Sequence, residues 1–265
     1  MTDDPLAPPG RPPAPVRYGA GLAVLVVGTG AEPFPSAAGP AAARTAVVHV
    51  DAPSVILVDS RAPGGPPMAG DLRVLRIGED VGRGAAVNRA VAVLPADIGL
   101  VAVAPPGLVW AEGALDALRA AAVRHPRAGI LAPRVRAGGA SVASTHPLPR
   151  PGRSLVAVLA GRPWPRVSPA DPASEEPVGW SSAPGLLLRR AALDSVDGFD
   201  PRYPGRFDDL DLADRLATAG WLTVHVPSAT VVYNAPPRRD PTAARRYLSD
   251  RTPRPVRALL PATSP

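Results

Sequence analysis

Short apolar runs alternate with amphipathic segments along the first half of the chain. The runs are rich in β-branched residues and bounded by Gly, Pro and Asp, a pattern typical of buried strands. The predicted strands are Leu22–Val27, Val55–Asp59, Leu72–Ile77, Leu100–Ala104 and Gly129–Val135. Helices are predicted between them at Gly84–Leu94 and Ala111–Arg124, the second with Leu115, Leu118 and Ala122 on one face. This alternation predicts an α/β fold, a three-layer α/β/α sandwich with a mainly parallel central sheet.

The second half of the chain contains a shorter strand–helix–strand group. Its predicted elements are Gly185–Arg189, Asp208–Ala219 and Trp221–Val226. Residues 137–176 precede it and are rich in Pro, Gly and Ser. They are too long for an ordinary connection, which indicates a substrate-facing or mobile loop. We therefore predict one domain over residues 19–233, in which a first half to about residue 135 and a second half over 136–233 share one sheet.

The two ends of the chain have a different composition from this domain. Residues 1–18 are Pro-rich and predict a disordered arm, because proline at this density interrupts helices and sheets alike. Residues 234–265 form a tail rich in Pro and Arg. No apolar run approaches the roughly 18 residues of a membrane helix, and the N-terminus lacks the features of a signal peptide. Because there are no cysteines, disulfides and thiolate metal sites are excluded. We expect a cytoplasmic protein.

The net charge of +6 does not by itself indicate a nucleic-acid-binding protein. All 29 basic residues are arginines, alongside heavy use of Ala, Pro and Gly, which indicates codon bias rather than a phosphate-binding surface. Only 4% of residues are aromatic, so single-stranded nucleic acid would find few stacking partners. We expect no nucleic-acid partner. The basic residues do cluster in the tail, at Arg238, Arg239, Arg245, Arg246, Arg251, Arg254 and Arg257. This cluster is either a solvated tail or a contact with anionic lipids at the inner face of the plasma membrane.

Candidate ligand-binding residues follow the predicted strands, since open parallel sheets bind ligands at the carboxyl ends of their strands. Asp59 ends one strand, where its carboxylate would accept hydrogen bonds from a nucleobase or ribose; the alternative is an ordinary Asx-turn. After Ile77 the chain reads Asp80-Val81-Gly82-Arg83-Gly84. The glycine N–H groups would approach a diphosphate at a helix N-terminus, and Arg83 would add a charge-assisted bond; the alternative is a plain helix start.

Three carboxylates crowd the start of the predicted helix Asp208–Ala219. Asp208, Asp209 and Asp211 stabilise a helix N-terminus, and Asp211 can pair with Arg215 one turn later. Three acidic groups in four residues also repel one another, which tends to raise at least one pKa and so suits a general base.

The aromatic and imidazole side chains give weaker signals. Trp180 lies in a loop of small residues, where its ring would stack on a sugar or fill core space. The histidines, His49, His125, His146 and His225, are scattered without ligand spacing, so they predict no metal site.

Together, Gly198-Phe199-Asp200 and Asp208-Asp209-Leu210-Asp211-Leu212 resemble the acceptor half of family 2 glycosyltransferases. The resemblance implies a GT-A fold and an inverting reaction that uses a nucleotide-diphosphate sugar, with Asp209 as the catalytic base. It also implies two sets of binding residues. The donor-binding set is Asp59, Gly82, Arg83, Gly84 and Asn88, and the acceptor-binding set is Trp180, Asp208 and Asp211.

Within family 2, the chain resembles the rhamnosyltransferases of actinobacterial cell-wall assembly over roughly residues 20–233. Besides the block just described, the likeness lies in GRGAAVNR (residues 82–89), in residues 110–118 and in PRAGILAPRVR (residues 126–136). It implies transfer of L-rhamnose from a dTDP donor to a polyprenyl-diphosphate-linked N-acetylglucosamine. It is weak over residues 28–50.

Two parts of the family pattern are missing. An aspartate that follows the fourth strand and holds a divalent metal is replaced here by Pro105-Pro106-Gly107, and a histidine after the last strand is replaced by Tyr233. Without a carboxylate, Mg²⁺ or Mn²⁺ lacks its preferred ligand at this loop. We therefore expect no metal cofactor. The loss leaves open a second hypothesis, a non-catalytic relative that acts as a nucleotide-sugar sensor or scaffold.

Overall fold

The computed structural model describes residues 18–30, 54–60, 73–148, 174–203 and 207–234. The strands are β1 (Gly21–Gly28), β2 (Ser54–Asp59), β3 (Arg73–Arg76), β4 (Ile98–Ala104), β5 (Val109–Trp110), β6 (Ala128–Ala137), β7 (Ala140–Val142), β8 (Thr145–His146), β9 (Glu176–Val178), β10 (Trp180–Ser181), β11 (Leu186–Arg189) and β12 (Leu222–Val232). The helices are α1 (Arg83–Ala92), α2 (Ala114–Arg124), α3 (Arg190–Asp194) and α4 (Phe207–Thr218).

One sheet runs through both halves of the chain in the order β3-β2-β1-β4-β11-β6-β12-β5. The pairs β3/β2, β2/β1, β1/β4 and β6/β12 are parallel, whereas β11 runs antiparallel to both of its neighbours. Strands β1 to β4, β6 and β12 therefore point the same way, and their carboxyl ends lie along one edge of the sheet, which we call the carboxyl edge. The predicted α/β fold with a mainly parallel central sheet is confirmed.

The centre of the sheet is buried because its strands are apolar on both faces, as expected for parallel strands covered by helices. Seven of the eight residues of β1 and five of the six of β2 are buried. Helix α1 packs Ala86, Val87 and Ala90 into the core, and α2 packs Leu115 and Leu118 there. No helix in the described ranges is long and apolar enough to cross a bilayer.

The last strand is longer than the sequence predicts. Pro227 favours a strand end after Val226, but β12 continues to Val232. The register with β6 shifts between Val226 and Thr230, so the sheet accommodates the proline in an irregular stretch. The first part of β12 pairs with β9 and its last part with β5.

The segment predicted as one long loop contains short strands where the structure describes it. Within residues 137–176, β7 pairs with β6, and β8 pairs with β10 from beyond the loop. Residues 149–173 lie outside the described ranges, as do His49 and nearly all of the arm and tail, with the arginine cluster of the tail. The predicted boundaries at residues 18 and 234 stay predictions.

Candidate functional site

The carboxyl ends of β1, β2 and β3 are tied to one another at the carboxyl edge. Asp59 stands opposite Gly28 in the parallel register, and its carbonyl oxygen accepts the N–H of Ile77 at 2.9 Å. The N–H and hydroxyl of Ser60 both donate to the carbonyl of Gly28, at 3.0 and 3.1 Å. Asp59 is buried, so its carboxylate stands at the base of this edge rather than on an open surface.

Asp80 connects the segment after β1 to the start of α1. Its carboxylate accepts the N–H of Gly30 at 3.1 Å and that of Gly82 at 3.4 Å. Gly82 caps α1 with φ 76°, a left-handed conformation that favours glycine. The sequence predicts that the Gly82 N–H binds a donor phosphate, but here that N–H donates to Asp80.

Gly84 and Asn88 hold the Gly198-Phe199 turn against α1. A Cβ added at Gly84 would lie 2.8 Å from the Cβ of Phe199, so the absence of a side chain is needed for this packing. The Asn88 amide donates to the carbonyl of Phe199 at 2.7 Å and accepts its N–H at 2.9 Å. Gly84 and Asn88 therefore support the turn in this structure, and their predicted contacts with a donor stay predictions.

The first residue of α1 is clamped to the first turn of α4. Arg83 donates from Nε and Nη2 to both carboxylate oxygens of Asp208, at 3.2 and 3.0 Å, and also from Nη2 to Asp209. Asp208 in turn accepts the backbone N–H of Asp209 at 2.8 Å. The Arg83 guanidinium lies 5.8 Å from the centre of the Phe199 ring. We call Arg83, Asp208 and Asp209 the acid–arginine cluster.

The two aspartates of this cluster differ in burial. The Asp208 side chain is 0% exposed and the Asp209 side chain 8%, so Asp209 is the more accessible of the two carboxylates. Burial raises the pKa of Asp208, and Arg83 offsets only part of that rise. Burial alone would lower the pKa of Arg83, but the attraction of Asp208 and Asp209 outweighs it and raises that pKa. The sequence predicts that repulsion between the carboxylates raises the pKa of at least one of them. In the structure the raised pKa is that of Asp208, and its main cause is burial.

Asp211 faces the interior instead of an acceptor. It accepts a bond from Arg215 Nε at 2.7 Å, and its side chain is 2% exposed. Arg215 also donates to the carbonyls of Val196 and Gly198. Asp211 therefore orients an arginine that holds α4 to the Gly198 turn. The predicted Asp211–Arg215 pair is present, and the predicted acceptor contacts of Asp208 and Asp211 stay predictions.

Trp180 lies on β10, a strand that packs against α4. Trp180 stacks on His146 with ring centres 4.5 Å apart, and His146 Nε2 lies 3.0 Å from the hydroxyl of Ser182. The indole N–H groups of Trp180 and of buried Trp110 have no hydrogen-bond partner within the described chain. Buried donors of this kind usually find a partner, so the two indoles are candidates for ligand contact.

The loop after β4 does not provide ligands for a divalent metal. Pro105 and Pro106 are buried, Gly107 has no side chain, and the N–H of Leu108 closes the turn onto the carbonyl of Pro105 at 3.3 Å. Over the described ranges, no three His, Asp or Glu side chains gather into a metal site. The two carboxylates of the acid–arginine cluster already bind a guanidinium. The described residues do not fit the metal that the family pattern implies.

The fold is similar to those of solved glycosyltransferases. GalNAc-T7, crystallised with UDP, GalNAc and Mn²⁺, matches with a TM-score of 0.62 and 10% identity, over 86% of this chain and 47% of that one. TarS of S. aureus matches with a TM-score of 0.54 and 12% identity, over 87% of this chain and 64% of that one. The mannosyltransferase PcManGT of Pyrobaculum calidifontis, in complex with GDP-Man and Mn²⁺, matches with a TM-score of 0.53 and 18% identity, over 94% of this chain and 68% of that one. At these identities the likeness shows the fold alone, which is that of the GT-A glycosyltransferases.

No model of a protein family matches the sequence. A curated relative does: the N-acetylglucosaminyl-diphospho-decaprenol L-rhamnosyltransferase of two Mycobacterium tuberculosis strains is 41% identical over 204 residues, or 68% of this chain. The alignment spans 66% of that relative's length. The chain is a GT-A protein of glycosyltransferase family 2, related to the cell-wall rhamnosyltransferases. The resemblance inferred from the motifs is confirmed.

Proposed function

We propose that the protein is an inverting glycosyltransferase that moves a sugar from a nucleotide-diphosphate donor to a lipid-linked acceptor. The observation that carries this proposal is the position of Asp209. It lies at the N-terminus of α4, keeps 8% of its side-chain surface exposed, and pairs with Arg83 at the helix start that follows β3 at the carboxyl edge. A sheet of this kind binds its ligands at that edge.

In the proposed reaction Asp209 accepts the proton of the acceptor hydroxyl. The hydroxyl oxygen then forms a bond to the anomeric carbon of the donor sugar, while the bond between that carbon and the diphosphate oxygen breaks on the opposite face. The nucleoside diphosphate leaves with the bonding electrons, and the configuration at the anomeric carbon inverts. Asp59, at the end of β2, is proposed to contact the nucleoside, because carboxylates at such strand ends suit ribose or base donors.

The acceptor is proposed to bind on the side of β8 and β10. The stacked rings of Trp180 and His146 offer an apolar face with polar edges, which suits a sugar ring. The mycobacterial relative is named for transfer of L-rhamnose to a diphospho-decaprenol-linked N-acetylglucosamine. Its 41% identity supports L-rhamnose as the transferred sugar and a polyprenyl-diphosphate-linked glycan as the acceptor, with a role in cell-wall assembly.

Two further proposals concern cofactor and location. We propose that the reaction needs no divalent metal, because the described residues at the end of β4 include no carboxylate. We also propose a cytoplasmic protein that contacts the inner face of the plasma membrane, where its acceptor would be anchored. The arginine-rich tail is the segment suited to anionic lipid head groups. The hypothesis of a sensor or scaffold has no observation in its favour beyond the same missing carboxylate.

Substitution of the proposed base tests the function directly. Asp209→Asn keeps the size of the side chain and removes the proton acceptor. Loss of a positioned general base typically lowers a rate about 10²–10⁴-fold. We expect this loss in transfer from a dTDP-sugar to a polyprenyl-diphosphate-linked acceptor, with donor binding retained in calorimetry. Asp116→Asn is the matched control, since Asp116 is exposed on α2 and should leave turnover unchanged. Equal turnover of the two variants would exclude Asp209 as the base.

A further inference from the structure

The guanidinium of Arg83 is only partly occupied by the carboxylates that surround it. Nε and Nη2 make three hydrogen bonds to Asp208 and Asp209. Nη1 makes none to the described residues, and the Arg83 side chain keeps 15% of its surface exposed. The Nε and Nη2 side of the guanidinium therefore binds the two aspartates of α4, and Nη1, at the start of α1, makes no bond to them.

The acid–arginine cluster combines a guanidinium suited to a phosphate with a carboxylate suited to accept a proton. The Arg83 guanidinium pairs with both carboxylates, and the Asp209 side chain keeps 8% of its surface exposed. The Arg83 side chain is 15% exposed, and in such a partly buried place its charge acts more strongly than at a free surface. Arginine matches phosphate oxygens with paired, charge-assisted bonds.

We propose that Arg83 is the positioning residue that couples the donor diphosphate to the catalytic base, supplying the positive charge that a metal supplies elsewhere in the family. Nη1 binds a diphosphate oxygen while Nε and Nη2 hold Asp208 and orient Asp209. This role rests on the proposed function and deepens it. It differs from the sequence prediction, in which Arg83 contacts phosphate alone, because the same side chain also orients the acidic helix start.

Nucleotide binding separates this role from a structural one. Arg83→Gln removes the charge, and we expect the affinity for dTDP to fall about tenfold to a hundredfold, as for loss of a hydrogen bond to a charged group. The affinity for thymidine, which has no phosphate, should stay the same. A residue that merely supports the fold would weaken both ligands equally. Arg89→Gln is the matched control, because Arg89 lies on the same helix and pairs with the exposed Glu79.

Turnover gives the second readout. Arg83→Lys keeps a positive charge but loses the fork that holds two carboxylates, so we expect near wild-type dTDP affinity with a kcat well below that of wild type. In the double variant Arg83→Lys/Asp209→Asn, the loss in kcat should be no greater than that of Asp209→Asn alone, since the arginine acts through the base. If the losses in kcat of the two single variants add up in the double variant, Arg83 does not act through Asp209.

The outcomes distinguish this role from the function on which it rests. If Arg83→Gln does not fold, Arg83→Lys alone decides: a full kcat excludes the positioning role. Wild-type protein that binds and transfers, with a folded Arg83→Gln variant that loses no dTDP affinity, would overturn the role of Arg83 and leave the glycosyltransferase standing. Wild-type protein that binds no nucleotide sugar would overturn both.

Discussion

Asn88 is a residue whose sequence position suggested a ligand contact and whose side chain supports the fold. Its amide makes two hydrogen bonds to the backbone of Phe199, which lies 111 residues away. Gly198, just before, has φ 71°, and a Cβ there would lie 2.4 Å from the Asn88 oxygen. The side chain and the glycine therefore fit each other, and the turn that precedes α4 depends on both.

Removal of this amide should lower stability without weakening nucleotide binding. Asn88→Ala leaves two backbone groups of Phe199 without partners, at a cost of about 1–3 kcal/mol. We expect a matching loss in the free energy of unfolding measured with urea, and an unchanged dTDP affinity. Asn234→Ala is the control, because Asn234 makes one exposed bond to the N–H of Gly138. A large loss of nucleotide affinity at constant stability would instead return Asn88 to the donor site.

The sequence analysis named all three residues of the acid–arginine cluster but not the pairing between them. Arg83 and Asp208 lie 125 residues apart, and nothing in the local pattern around either one encodes the pairing. Asp211–Arg215 could be predicted because an i,i+4 pair is a local property of a helix. His146 was missed as a neighbour of Trp180, since only the pairing of β8 with β10 places it there.

At the scale of elements, the turn after β4 has room for the side chain that the family pattern places there. Gly107 has φ 83°, and a Cβ built on it would meet nothing within 4 Å. A side chain therefore fits the space, at a backbone cost of about 1–2 kcal/mol for the left-handed conformation. Aspartate and asparagine tolerate that conformation better than most residues. The position can accept the carboxylate that the family pattern has and this chain lacks.

A restored carboxylate should create metal dependence. We expect wild-type affinity for dTDP, measured by calorimetry, to be the same with Mn²⁺ and with chelator. Gly107→Asp should bind dTDP more tightly with Mn²⁺ than with chelator, because it supplies an anionic oxygen ligand. Gly107→Asn has the same shape and strain without the charge, and should show no such gain. Strong Mn²⁺ dependence of the wild-type protein would show that a carboxylate elsewhere in the chain holds the metal.

Most elements were predictable because their signals are local. Apolar runs gave β1, β2 and β4 to within a few residues, and the helical periodicity gave α1, α2 and α4. Two kinds of element were not. Strands of two or three residues, such as β8 and β10, are too short for a periodic signal and exist through their pairing. The last part of β12 was not predicted because Pro227 interrupts the apolar run, although the strand continues past it.

At the scale of the whole molecule, the two halves do not form separate sheets. β11 comes from the second half and lies between β4 and β6 of the first, with Leu187 opposite both Ala102 and Leu131. Parallel alternation could predict a shared sheet, but not this insertion, because strand order depends on contacts distant in sequence. Removing the second half would expose the edges of two buried strands.

The halves should therefore unfold together and fail to fold apart. We expect one urea transition, with the same midpoint by tryptophan fluorescence and by far-UV circular dichroism. A fragment of residues 1–137 should aggregate, since β4 and β6 would each present an unpaired apolar edge. The full chain under the same conditions is the control. A soluble, folded fragment would show that β11 is dispensable for the first half.

The inserted strand also affects how the protein is made. A ribosome releases β4 and β6 well before β11, whose last residue is Arg189. At roughly 5–20 residues per second, the gap between the end of β6 and the end of β11 leaves the nascent chain with open strand edges for seconds. Chaperones that bind extended apolar segments would find their target in that interval. The yield of active protein in a cell should therefore depend on the speed of translation over residues 138–189 as well as on the stability of the finished fold.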